Sequence, residues 1–347
     1  MTEKFSIDKK IQTQIDNIRI KAQELKPLVV IRCITFNHKN YIKDALDGFL
    51  NQKTDFPFIA IIHDDASTDG TADIIKEYAT RFPDIILPIF EEENQYSKDP
   101  SLVGHILNSA IEVSNAEFLA FCEGDDYWID PLKLQKQVDF LNINKDIGMC
   151  YTSFDIKDEI TNSYRYNLFK NEPLKFPSEY KSVSEFILKK GYVCPPSWLI
   201  RIKFWKTDLP SSLDGTFVRF ADLLFSTKVA ALSDVTAVYR EIAESASRSS
   251  SYEKMYIRQK NLYQTQLKLI ERFDLSPELK LKCAEDHYRK NLRSWVINSK
   301  HEDVREAYKF LGSKKSVREI FFFYIDFARL NFILMFLKKI NHKLKNK

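Results

Sequence analysis

Glycine is scarce in this sequence, at 8 of 347 residues, against an ordinary share of about 7%. That shortage excludes glycine-rich repeats, and neither the GxGxxG nor the GxxxxGKS/T phosphate loop occurs. Charge of one sign is missing too: 52 basic residues face 48 acidic ones, a formal net charge of +4, too even for a general nucleic-acid binder. The opening MTEKFSIDKKIQ is polar and does not read as a secretory leader. No run of 18 uncharged apolar residues occurs, so no spanning helix is expected. The nearest approach, residues 320–337, is broken by Asp326 and Arg329. Five cysteines (Cys33, Cys122, Cys150, Cys194, Cys283) contain no CxxC pair and read as buried, reduced thiols of a cytoplasmic protein. The 44% hydrophobic and 29% charged residues describe a folded chain.

What the sequence does hold is a strand–helix rhythm. Residues 5–25 space Ile11, Ile15, Ile18, Ala22 and Leu25 at helical intervals until Pro27. This stripe is expected to pack on its own domain, with a homodimer contact as the alternative. Apolar runs of strand length follow at 28–35 (LVVIRCIT), 58–63 (FIAIIH), 85–90 and 117–122 (EFLAFC), with helical patterns between them. Asp130 and Pro131 read as the cap and first position of a further helix. Strands apolar on both faces and separated by helices imply a mostly parallel sheet covered on both sides. Beyond residue 147 the rhythm predicts short strands at 149–154, 197–202 and 235–239 and helices at 183–189 and 220–231. After about residue 250 it predicts only helices, at 255–273, 277–297, 304–311 and 320–339. The expected organisation is an N-terminal helix (1–26), an α/β catalytic domain (27–250) and a helical C-terminal region (251–347) with a basic tail.

In an open parallel sheet, ligands bind beyond the carboxyl ends of the strands. Three predicted strand ends carry unusual polar groups: Thr35-Phe36-Asn37, Asp64-Asp65-Ala66-Ser67 and Glu123-Gly124-Asp125-Asp126. One Asp pair alone would read as a helix cap. Two pairs brought to one sheet edge would repel each other without a cation or hydrogen-bond donors. Neighbours in extended chain point to opposite sides, so Asp125 and Asp126 should serve different partners. A single carboxylate completed by phosphates and water suits Mg²⁺ or Mn²⁺. Two imitations fail. Counting from Asp65, the twelfth position of an EF-hand loop is Lys76 rather than the required Glu. Ser67 stands where a DxDGT phosphatase needs its nucleophilic Asp.

Taken together, VVIRCITFNHKNYIKDALDGFLNQ, IIHDDASTDGTADII and FLAFCEGDDYWIDPLKLQKQVDFL resemble the family 2 glycosyltransferases with a GT-A fold. The resemblance is strong over about residues 28–155, weaker to about 250, and carried by the order and spacing of the three segments. It implies that Thr35 and Asn37 line the base pocket, that Asp65 meets the uracil edge, that Asp125 contacts the ribose and that Asp126 holds the metal on the diphosphate. It also implies a catalytic base on a later helix, where Asp222 stands in FADLLF, although Ala221 replaces the family's second acid. The segment AVYREIAESASRSS (237–250) resembles a family stretch that carries a His at the position of Ile242. Arg240 or Arg248 could grip phosphate charge instead.

The expected activity is inverting, metal-dependent transfer from a nucleotide sugar, a UDP-sugar, to a hydroxyl of a glycan or lipid-linked acceptor in cell-surface polysaccharide synthesis. The alternative is a nucleotide-sugar-binding protein without turnover. A nucleotidyltransferase is disfavoured because TFNHKN lacks the Gly- and Arg-containing loop. Segment 191–198 (GYVCPPSW) is expected to border the acceptor. The apolar stretch 320–337, followed by five lysines, predicts peripheral contact with the inner face of the cell membrane.

Overall fold

The structure, a computed structural model, describes residues 7–206, 209, 212–242 and 251–328. The chain divides into two units, Met1–Tyr256 and Ile257–Lys347.

In the first unit, helix Lys9–Leu25 buries Ile11, Ile15, Ile18 and Ala22, as the spacing requires. A nine-stranded sheet follows: β1 (Val29–Thr35), β2 (Phe58–Asp64), β3 (Ile86–Phe90), β4 (Phe118–Phe121), β5 (Tyr127–Trp128), β6 (Ile147–Asp158), β7 (Ser163–Arg165), β8 (Trp198–Arg201) and β9 (Lys228–Glu241). The order is β3-β2-β1-β4-β8-β6-β9-β5, with β7 on β6. Strands β1 to β4, β6 and β9 run one way, while β5, β7 and β8 run against them. The sheet is therefore mostly parallel. Every residue of β2 and β4 is buried, because helices cover both faces. Helices Ile42–Leu50, Thr71–Arg81, Pro100–Ser114 and Lys133–Ile143 supply the cover.

Four expectations need correction. The helix near Asp130 starts at Lys133, and Asp130 instead accepts the Leu132 N–H at 2.9 Å. The expected helix 220–231 is Gly215–Ser226. Residues 228–231 belong to β9, which runs 14 residues rather than the five expected. Here pairing with β6 along its whole length overrides a pattern that local spacing could equally read as helix. The two- and three-residue strands β5 and β7 are too short to show periodicity. All five cysteines are buried and unpaired.

The second unit is helical among its described residues. It takes most of Tyr252–Arg272, then Pro277–Ile297, His301–Leu311 and Val317–Phe327. Leu292, Trp295, Val296, Val304 and Ala307 are buried there. No helix of the described residues is long and apolar enough to cross a membrane.

Candidate donor-binding site

The carboxyl ends of β1 and β2 coincide, with Thr35 level with Asp64. The Gly124 N–H extends the ladder from β4 to the Ile34 carbonyl at 2.8 Å. The three polar segments therefore meet at one sheet edge, as the topology predicted.

The loops after β1 and β2 are tied together. Asn37 donates its N–H to Ser67 Oγ at 2.8 Å and accepts the Thr68 N–H on its own Oδ1 at 2.8 Å. Lys39 N–H meets Asp69 at 2.9 Å. Asp64, 1% exposed, accepts both the hydroxyl and the N–H of Ser67. Asn37 and Ala66 both sit at positive φ, 56° and 61°, a region that costs a β-carbon residue energy and marks a constrained turn. Thr35 and Asn37 stand at this sheet edge, and the Asn37 Oδ1 is spent on the loop. Asp65 is 1% exposed. Its two oxygens accept the backbone N–H groups of Gln95 and Tyr96 at 2.7 and 3.0 Å. Sequence reasoning missed this partner, because nothing in residues 91–98 marks them as the other half of an aspartate cradle.

Asp126 is 2% exposed and accepts the Arg240 N–H on Oδ1 at 2.8 Å. Burial, followed by the charge of Asp125 beside it, pushes its carboxyl well above the usual carboxylate range. Asp125 is only half buried, which fits separate roles for the pair. Arg240 is fully engaged. Its guanidinium donates to Glu159 at 2.8 Å and to the Asp125 carbonyl at 3.0 Å, pairs with Asp44, and lies 4.2 Å from the Tyr127 ring centre. Arg240 therefore builds the wall behind Asp126 and is not held ready for phosphate. Arg248 lies outside the described residues.

Gly124 makes the approach possible. A β-carbon there would stand 2.7 Å from the Cβ and Oγ1 of Thr35 and 3.0 Å from His38 Nδ1. Both Thr35 Oγ1 and His38 Nδ1 are buried without a hydrogen-bond partner among the described residues. Sequence analysis did not single out His38; only its place in TFNHKN could have done so.

Asp222 is buried within helix Gly215–Ser226, seven residues past the helix start, and pairs with Lys206 at 3.4 Å and Ser226 at 3.5 Å. Phe220 on the same helix packs on Tyr151 and Trp198, and Asp214 directly precedes the helix.

Segment 191–198 packs under the site. Trp128 Nε1 donates to the Pro196 carbonyl at 2.9 Å, and the Asp126 charge helps push the Tyr192 and Cys194 groups up, after burial. Lys133 is wholly buried below. It donates to Gln137 at 2.7 Å and lies 4.4 Å from the Trp128 ring centre. A cavity of about 610 Å³ between Tyr151, Phe169, Tyr180, Leu224 and residues 229–233 contains none of the aspartates. No group of three or more His, Cys, Asp or Glu among the described residues is arranged to hold a metal unaided.

The sequence profile described as glycosyl transferase family 2 matches residues 31–207, just over half of the chain and all three polar segments. The chain belongs to glycosyl transferase family 2. An uncharacterised protein of Mycobacterium tuberculosis is 45% identical over 120 residues, 34% of this chain and 32% of the relative. TuaG of Bacillus subtilis, a glycosyltransferase named for teichuronic acid biosynthesis, is 31% identical over 131 residues, 38% of this chain and 48% of TuaG. The chain thus matches between a third and a half of the length of these relatives. Among solved structures, residues 1–349 of Staphylococcus aureus TarS, crystallised with UDP, superpose with a TM-score of 0.52 at 18% identity, covering 80% of each chain. That likeness shows the GT-A fold.

Proposed function

We propose that this family 2 member is an inverting transferase that moves a sugar from a UDP-sugar to a hydroxyl of a glycan or lipid-linked acceptor. The supporting observation is the meeting of Thr35, Asp65, Asp125 and the buried Asp126 at one sheet edge. The family membership and a fold neighbour that holds UDP agree with it. Each Asp65 oxygen keeps a second lone pair for a uracil N–H, and Asp125 would take the ribose hydroxyls.

The residues fit a divalent cation. Asp126 is a desolvated carboxyl group beside a second acid, and among the described residues no group of three His, Cys, Asp or Glu closes a site around it. That suits Mg²⁺ or Mn²⁺ completed by diphosphate oxygens and water. When bound, such an ion supplies neutralisation of charge on the departing diphosphate. The Arg240 amide and guanidinium hold Asp126 and the Asp125 carbonyl in place for it.

A carboxylate takes the proton of the acceptor hydroxyl as its oxygen bonds the anomeric carbon and the bond to the diphosphate breaks. The candidate for this base is Asp222, whose carboxylate lies beside Lys206, with Asp214 just before the same helix as the next one to test. The acceptor would approach past the parallel, exposed rings of Tyr164 and Tyr166, stacked 5.5 Å apart. Burial, followed by the Tyr164 hydroxyl beside it, pushes the Tyr127 hydroxyl, next to Asp126 in the chain, well above its usual range.

A thermal-shift panel of nucleotide sugars with Mn²⁺ tests this reading, since a ligand of the folded state raises its melting temperature. A UDP-sugar should stabilise the protein and be hydrolysed slowly without acceptor. Stabilisation without hydrolysis or transfer would instead establish a binding protein, and no response to any nucleotide would refute the site.

A further inference from the structure

Helix Val317–Phe327 in the second unit is apolar nearly all round: Phe322, Phe323 and Ile325 are buried on its inner side, and a second apolar set faces out. Val317, Ile320, Phe321, Tyr324 and Phe327 are 85%, 39%, 52%, 69% and 87% exposed. Their spacing of three and four residues places them on one face. The two acids of the same helix point inward. Glu319 is buried against Arg289 and closes the capping box with Ser316. Asp326 is buried against His301 Nδ1 at 2.6 Å. A helix on a water-facing surface turns its charges out and its apolar residues in. Here Arg289 and His301 take up the two acids within the unit, and the outer face offers three aromatic rings, two aliphatic side chains and no negative charge.

What covers that face is indicated by the chain beyond it. Residues 329–347 contain Arg329, Lys338, Lys339, Lys343, Lys345 and Lys347 and no acid, after the apolar run 332–337. Two copies brought face to face would crowd these like charges, whereas an anionic lipid surface complements them. Aromatic rings beside cationic residues are the side chains favoured at a lipid headgroup boundary. No helix among the described residues is long and apolar enough to cross a bilayer.

We infer that the outer face of helix Val317–Phe327 is a lipid-binding face that seats the second unit on an anionic membrane. This inference is independent of the donor-site reading. The test is sedimentation of the full chain with phosphatidylcholine vesicles, with and without about 30% phosphatidylglycerol. Binding is expected only to the anionic vesicles. The triple variant Phe321→Ser/Tyr324→Ser/Phe327→Ser should bind them about a hundredfold more weakly, with an unchanged or higher melting temperature. Should that variant fold poorly, Phe327→Ser alone must weaken binding several-fold. No binding by the intact protein near 0.1 M salt would overturn the inference. So would undiminished binding by the variants. Dissociation of a dimer on substitution, with vesicle binding unaltered, would show the face to be a protein interface instead.

Discussion

Gly124→Ala adds one methyl group at the point where the third polar segment meets the first. That methyl would lie 2.7 Å from the Thr35 Cβ and Oγ1, against an ordinary carbon contact of about 3.5–4.0 Å. Relief requires a shift of about 1 Å. Thr35 belongs to β1, fixed between β2 and β4, so the Gly124–Asp126 turn must move. Overpacking of this kind costs about 1–3 kcal/mol, which in a unit of this size lowers Tm by a few degrees. The functional cost is larger, because displacement of reacting groups by about 1 Å is worth about a hundredfold in rate. The assay pairs urea unfolding with UDP–Mn²⁺ thermal shift and hydrolysis of the preferred nucleotide sugar. Thr35→Gly removes both atoms that the methyl meets. The double variant should therefore lose less than the sum of the singles, with a coupling of about 1–2 kcal/mol. Wild-type hydrolysis by Gly124→Ala, or strictly additive losses, would refute the steric reasoning.

Asp126→Asn keeps an acceptor for the Arg240 N–H while removing a buried charge next to Asp125. It should raise the metal-free melting temperature and abolish the Mn²⁺-dependent response to UDP; a normal metal response would remove Asp126 from the metal site. Asp222→Asn should lower transfer by about 10²–10⁴-fold with UDP binding retained. Normal transfer by that variant in steady-state kinetics would remove Asp222 as the base and bring Asp214 forward. Burial pushes Lys133 down to about 7 from its ordinary 10.5. Between those values the unfolded chain holds a proton that the folded chain has released, so stability should rise with pH there. Urea unfolding at pH 7 and pH 9 should show a gain of about 2 kcal/mol that Lys133→Met lacks, and parallel pH profiles would contradict the burial argument.

The parts legible in the sequence were those carried by continuous apolar runs. β1, β2 and β4 lie within a residue or two of where LVVIRCIT, FIAIIH and EFLAFC placed them, because buried parallel strands leave an unbroken apolar signature. The meeting of the Asp64–Ser67 and Glu123–Asp126 segments followed from that order alone. What failed depended on partners distant in sequence. The length of β9 is set by its register with β6. The engagement of Arg240 is set by Asp44 and Glu159, 196 and 81 residues away. The Lys206 partner of Asp222, 16 residues away, is likewise not marked by the motif.

The hydrogen bonds that join Asn37, Ser67, Thr68, Lys39 and Asp69 make the loops after β1 and β2 move as one body. Much of the ordering entropy of the pocket floor is then lost during folding rather than on ligand arrival. Discrimination among bases should consequently rest on shape and hydrogen-bond match, with little induced fit on that side. Amide exchange at Asn37 and Thr68 should be slow before any nucleotide is added and change little after it. The mobile share of donor recognition then falls to the other wall, the Glu123–Asp126 turn, where mutual repulsion of carboxylates is relieved only when charge of the opposite sign arrives.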